Sequence, residues 1–165
     1  MIVIEPAIQT QFGRRLRQRF LTAFLKETAE AVRLRGQVSV LLTTDRHIRQ
    51  LNRTWRHKDK PTDVLSFPAP ASFDGQEVLA GDLAISVETA ARQADEAAHP
   101  LSAELQVLIL HGLLHLAGYD HETDSGQMGR KEAALRRRFG LNAGLIERSA
   151  DPAAGPAARS KRSRP

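Results

Sequence analysis

Three histidines stand within eleven residues of one another, as His111, His115 and His121 in the run HGLLHLAGYDH. On a helix, residues four apart project from one face about a turn from each other, so His111 and His115 pair. Gly118 reads as the stop of that helix, which lets the chain turn through Tyr119 and Asp120 and bring His121 back. Three neutral imidazoles at about 2.0–2.1 Å suit Zn²⁺ and leave a fourth position for water, as catalytic zinc sites do and closed structural sites do not. Zinc lowers the pKa of such a water toward about 7, so the spacing predicts metal-assisted hydrolysis. A His-x3-His pair alone is more often core hydrogen bonding. The triplet resists that reading, because imidazoles buried in a Leu/Ile-rich helix are unfavourable unless their nitrogens find partners.

The spacing is also that of the long zincin motif H-E-x-x-H-x-x-G-x-x-H, with one departure. Gly112 occupies the position of the protease's glutamate and can neither take nor give a proton, which argues against peptide hydrolysis. A second constellation points to phosphate. RTWRHKDK, residues 53–60, sets Arg53, Arg56, His57, Lys58 and Lys60 against Asp59 alone, and a guanidinium can grip phosphate oxygens bidentately. A solvated basic loop is the competing reading. Trp55 either offers a stacking surface for an unpaired base or belongs to the core; periodicity places it inward with Ile48 and Leu51.

These groups need elements to hold them. Ile2–Ile4 reads as a short strand, and Phe12, Leu16, Phe20, Phe24 and Ala31 mark one face of a helix over about residues 10–34, stopped at Gly36. Val38–Leu42 is a strand, Asp45 caps the helix that carries Ile48, Leu51 and Trp55, and Val64–Phe67 is a further central strand. Pro68–Ala80, with its prolines and glycine, reads as a loop before a strand at Asp82–Ser86. Val87, Ala90, Ala91, Ala94 and Ala98 recur at helical spacing, their small side chains pointing to close packing on a sheet. After Pro100, Leu101–Ala117 is apolar nearly all round, the mark of a central buried helix. A last helix runs through Met128, Leu135 and Phe139, capped by Asp124 or Ser125. The fold class is therefore α+β, a small mixed sheet of about four strands with about five helices around it.

The chain has 165 residues, 41% of them apolar and 26% charged, and no cysteine. That suits one compact domain, with a core that needs no disulfides, and it excludes thiolate metal sites and thiol catalysis. The net charge of +5 is mostly terminal, because Arg159, Lys161, Arg162 and Arg164 leave 20 basic against 19 acidic side chains before residue 152. Residues 1–150 are expected to form the domain and 151–165 a disordered basic tail, read as a solubilising extension rather than a polyanion tether. MIVIEPAIQTQFGRR lacks the pattern of a signal peptide, and the apolar stretch from Val107 to Tyr119 is shorter than the roughly 20 residues a bilayer needs. The expected location is cytoplasmic, with no membrane partner.

Taken together, HGLLHLAGYDH at 111–121, LNRTWRHKDKPTDVLSFP at 51–68 and GDLAIS at 81–86 closely resemble the YbeY family of bacterial metal-dependent endoribonucleases, over about residues 35–140 and in matching order. The resemblance implies an α+β fold, one Zn²⁺ on His111, His115 and His121, and a single-strand-specific endoribonuclease. It also implies roles in ribosomal RNA processing, 16S 3′-end maturation and ribosome quality control. Single-stranded ribosomal RNA and the ribosome are then the expected partners, with a ribosomal protein or a GTPase as further ones. The family's functional arginine falls on Arg56, and catalysis is assigned to Arg56 and His115. The long basic tail departs from the family pattern.

In that reading RNA lies between the histidine helix and the basic loop, and Arg56 offsets charge developing on the phosphate. Either metal hydroxide or the ribose 2′-hydroxyl is the nucleophile. Asp120, Glu122 and Asp124 are candidates to orient imidazoles, although turn and capping chemistry is the favoured role. A zincin-like metalloprotease and a non-enzymatic ribosome assembly factor with a structural metal are the alternatives.

Overall fold

The computed structural model describes residues 1–70 and 79–141. Its sheet has four strands, β1 (Ile2–Ile4), β2 (Gln37–Thr43), β3 (Val64–Pro68) and β4 (Leu79–Ser86), in the spatial order β1-β2-β4-β3. β1, β2 and β4 are parallel, with Val40 opposite both Ile2 and Leu83, whereas β3 runs antiparallel to β4 with Ser66 opposite Leu83. The helices are α1 (Pro6–Phe12), α2 (Gln18–Ala31), α3 (Asp45–Arg56), α4 (Val87–Glu96), α5 (Leu101–Leu116) and α6 (Gln127–Phe139). The expected α+β architecture is the observed one.

α5 lies on one sheet face at the centre of the main core. All of its residues are buried except Ala103 and His115, which is why its sequence shows no polar face. α3 covers part of the other face, over a small second core of Ile48, Leu65 and Ala84 with Leu51 and Phe67 at its margin.

Five expectations need correction. The helix predicted over 10–34 is two, separated by a 3₁₀ turn at Gly13–Leu16 that opens on Gly13 at positive φ (45°) and closes on left-handed Arg17 (φ 49°). An i+4 row drifts about 40° per step on a 3.6-residue helix, so Phe12-Leu16-Phe20-Phe24 cannot hold one face. α2 instead buries Leu21, Phe24, Leu25 and Thr28, and leaves Phe20 exposed. The cap of α3 is Thr44, whose hydroxyl accepts from the His47 N–H at 3.2 Å, one residue earlier than expected. β3 is an edge strand, not a central one, and the predicted 68–80 loop is narrower, since Pro68 ends β3 and Leu79 begins β4. The remainder of that loop, 71–78, and the tail expected from 151 lie outside the described residues.

Trp55 is the fifth correction: it is 67% exposed. The core under α3 is small and ends at the edge strand. At its last turn Trp55 meets Phe67 in an edge-to-face contact at a centroid distance of 6.2 Å.

Candidate metal centre

The helical period sets the first two ligands. His111 and His115 project from α5 with ring centroids 4.8 Å apart. At the end of α5 the Tyr119 N–H donates to the Leu114 carbonyl and the Gly118 N–H to the His115 carbonyl, the paired bonds that close a helix on a left-handed residue. Gly118 supplies it at φ 91°. Asp120 then builds the next turn, its carboxylate accepting from the Glu122 N–H at 3.1 Å and the Thr123 hydroxyl at 3.0 Å. His121, held between them, has its ring 5.4 Å from that of His111 and 5.5 Å from that of His115. The ligand atoms of the three residues all lie within 4.8 Å of one another.

The hydrogen bonds decide which nitrogens face inward. The Tyr119 carbonyl can only accept, so His115 Nδ1 carries a proton and donates to it at 3.1 Å. His111 Nδ1 donates to the Glu132 carboxylate at 3.0 Å. In the neutral rings both Nε2 atoms then carry lone pairs, and they face each other at 3.1 Å with no proton between them. That arrangement is repulsive by itself and attractive around a cation. Two ligands at about 2.0–2.1 Å on a tetrahedral centre stand about 3.3 Å apart, close to this separation. The residues present therefore fit a metal ion. Burial, and then the neighbouring His111 and His121, lower the pKa of His115 and favour the neutral form that binds metal.

Glu132 is the residue that sequence reasoning missed. It comes from α6, is 1% exposed, and fixes the tautomer and ring plane of His111 in the way carboxylates commonly back metal-bound histidines. The signal was available, because a carboxylate interrupts the apolar row Met128-Leu135-Phe139 at the one position that row would bury. Of the acids proposed for this role, Asp120 holds its own turn, and Asp124 accepts from the Gly126 and Met128 N–H groups from two residues before the N-cap of α6, which is Gly126 and not the expected Asp124 or Ser125. Asp120 and Asp124 thus serve the turns between α5 and α6, the structural kind of role favoured for them, and neither touches an imidazole in these bonds.

The cluster opens into a cleft of about 540 Å³ whose far wall includes Arg56, Thr62 and Asp63. Arg56 is the last residue of α3, and the loop after it is pinned. His57 takes a left-handed conformation (φ 56°), Asn52 Nδ2 donates to the Lys60 carbonyl at 2.8 Å, and Arg49 makes a two-pronged pair with Asp59 at 2.9 and 3.1 Å. Across the cleft the Ser66 hydroxyl donates to the Gly112 carbonyl at 3.4 Å, tying β3 to α5. His111, His115, His121 and Arg56 thus share one cavity. The basic residues Arg53, Lys58 and Lys60 do not line it.

The comparisons decide the family. The model described as Endoribonuclease YbeY matches residues 5–140. The chain belongs to the YbeY endoribonuclease family. A Koribacter versatilis relative, Endoribonuclease YbeY, is 51% identical over 142 residues, covering 86% of this chain and 90% of the relative. One of the same name from Anaeromyxobacter dehalogenans is 48% identical over 151 residues, covering 88% and 74%. The solution structure of a Thermotoga maritima protein, 27% identical, superposes with a TM-score of 0.54 over 98% of this chain and all of the other. Membership supports a hydrolase that cuts within RNA, as the resemblance implied. No helix among the described residues is long and apolar enough to cross a membrane.

Proposed function

We propose that the chain is a zinc-dependent, single-strand-specific endoribonuclease of the cytoplasm that acts in ribosomal RNA processing, 16S 3′-end maturation and ribosome quality control. The observation that carries this reading is the convergence of three imidazoles, their ligand atoms all within 4.8 Å of one another, in a cleft that also holds a guanidinium. His111, His115 and His121 would hold the ion, which when bound supplies a Lewis acid and a water acidic enough to ionise near neutral pH.

The chain's own groups do the rest. Arg56 offers a planar, two-pronged donor to non-bridging phosphate oxygens and opposes the charge that builds on them in the transition state. His115 serves catalysis as a ligand whose orientation the Tyr119 carbonyl fixes. The pinned 57–60 loop fixes the backbone that carries Arg56 at the cleft wall, which leaves the side chain to be ordered when RNA binds. The peptidase alternative loses support from Gly112, which offers no general base. Ribosomal RNA, the ribosome and a ribosomal-protein or GTPase partner are proposed because the family resemblance implies them.

Metal analysis of the purified protein, paired with cleavage of unstructured and duplex ribosomal RNA fragments by wild type and His111→Ala, tests the reading. We expect about one zinc per chain, cleavage of the unstructured fragment, and loss of both in the variant. Cleavage that survives chelation and the substitution would sink the proposal, as would metal-dependent casein hydrolysis without RNA cleavage.

A further inference from the structure

Trp55 is the chain's single tryptophan, and its exposure of 67% places most of the indole in water. It is nevertheless held. Its ring makes an edge-to-face contact with Phe67 at an interplanar angle of 71°, and Phe67 stands between Ser66 and Pro68, two residues that line the metal cleft. Trp55 also directly precedes Arg56 on the same helical turn, and the loop that follows is tied down by Asn52 and by the Arg49–Asp59 pair. Phe67 faces α3 and not the cleft, since strand residues alternate, so an aromatic surface is fixed next to the cleft-lining Arg56, on the opposite side of edge strand β3 from the histidines.

Its neighbours indicate the occupant. Arg53, Arg56, Lys58 and Lys60 lie within five residues of it, against Asp59 as the one acid of that stretch. So many cations do not suit a docking site for an apolar protein surface, since charged residues are depleted at the centres of such interfaces. Cations interleaved with an exposed aromatic are what single-stranded nucleic acid uses, the charges tracking phosphates while bases stack on the ring.

We infer that Trp55 is a stacking platform for an unpaired RNA base flanking the phosphate that enters the metal cleft. The inference rests on the endoribonuclease reading above and adds a reason for single-strand preference: a paired base has both faces covered by its neighbours and cannot reach the indole. Trp55 is a positioning residue here, because it touches the substrate's base and not the reacting phosphate.

The single tryptophan makes the test direct. Metal-loaded protein is titrated with a nuclease-resistant 2′-O-methyl phosphorothioate oligoadenylate while its intrinsic fluorescence is followed, and binding is read independently from the anisotropy of the end-labelled oligomer. We expect quenching by the single strand, little by an abasic oligomer of equal charge, and little by the duplex. Trp55→Ala should keep the wild-type unfolding temperature and lose roughly 10- to 100-fold in affinity for the oligomer, the range for one stacked base, while Trp55→Phe recovers most of it. Binding by anisotropy with unmoved fluorescence, or equal quenching by the abasic oligomer, overturns the platform and leaves the endoribonuclease reading standing. Failure of any RNA to bind overturns both. If Trp55→Ala binds and cuts free RNA normally but fails on intact ribosomes, the residue is a protein contact and the stacking assignment is wrong.

Discussion

Glu132 accepts a hydrogen bond from His111 Nδ1 at 3.0 Å, both side chains buried and 21 residues apart in the chain. The pair joins α6 to α5, so the last helix of the fold is part of the metal centre's frame. A ring held at Nδ1 presents Nε2 in one direction, and an acid at that position also raises the basicity of the ligand.

Glu132→Gln should therefore keep the fold and the hydrogen-bond length while weakening metal binding by about 10- to 100-fold, the range for loss of such a supporting carboxylate. Competition against a chelator of known affinity measures it. Unchanged affinity would mean that the carboxylate only fills space beside His111.

The packing of α5 reveals why the protease-like glutamate is missing. A Cβ placed on Gly112 would lie 2.8 Å from Leu83 Cδ2 and 2.9 Å from Leu83 Cδ1, and Leu83 is 1% exposed on β4. Gly112 lets α5 press onto the sheet. Gly112→Ala gains up to about 1 kcal/mol in helix propensity but overpacks a filled core, typically by about 1–3 kcal/mol. We expect a net loss of stability in urea unfolding, partly relieved in the double variant with Leu83→Val. A stabilised Gly112→Ala would show that the contact yields freely.

How far the sequence carried these conclusions differs by element. His111 and His115 were legible because a fixed helical period decides which residues share a face, and His121 because Gly118 can take the left-handed turn that returns the chain. The strands were legible as short apolar runs, although their order was not, since nothing local in Val64–Phe67 distinguishes an edge from a centre. Trp55 misled for a related reason. Its period matches Ile48 and Leu51, but the sheet ends beneath it, and where a sheet ends is a property of the fold. Glu132 was passed over because one acid among Arg130, Lys131, Arg136, Arg137 and Arg138 looks like surface until its place in the apolar row is counted.

Asp45 links α3 to α4 and predicts a pH dependence of stability. Its carboxylate accepts from the Ser86 hydroxyl at 2.5 Å, the Thr89 hydroxyl at 2.6 Å and Arg92 at 2.8 Å. Burial works to raise its pKa, yet the three donors together with the Arg92 charge hold it below the usual carboxylate value. A depressed folded-state pKa contributes stability that is present above the unfolded value and is lost as pH falls through the folded one. Asp45→Asn should thus be less stable than wild type at pH 7 by about 1.5–3 kcal/mol, as for hydrogen bonds to a charged group. The gap should narrow below about pH 4, where the unfolded carboxyl protonates. Thermal unfolding from pH 3 to 8 reads it, and a gap independent of pH would assign the loss to packing instead.

Arg56 separates recognition of the phosphate from construction of the centre. It is exposed at the last turn of α3 and shares the cleft with the histidines, while none of the hydrogen bonds that orient those rings involves it. Arg56→Ala should accordingly retain wild-type metal content and unfolding temperature, and cleave single-stranded RNA about 10- to 100-fold more slowly, the equivalent of about 1.5–3 kcal/mol for a lost charge-assisted hydrogen bond. Arg56→Lys should recover only part of the rate, because an ammonium is a point charge without the guanidinium's two-pronged fork. The cleavage rate at saturating RNA is the decisive quantity. If it is unchanged in Arg56→Ala while affinity alone falls, the guanidinium binds substrate and transition state equally well, and its proposed part in stabilising charge on the phosphate is wrong.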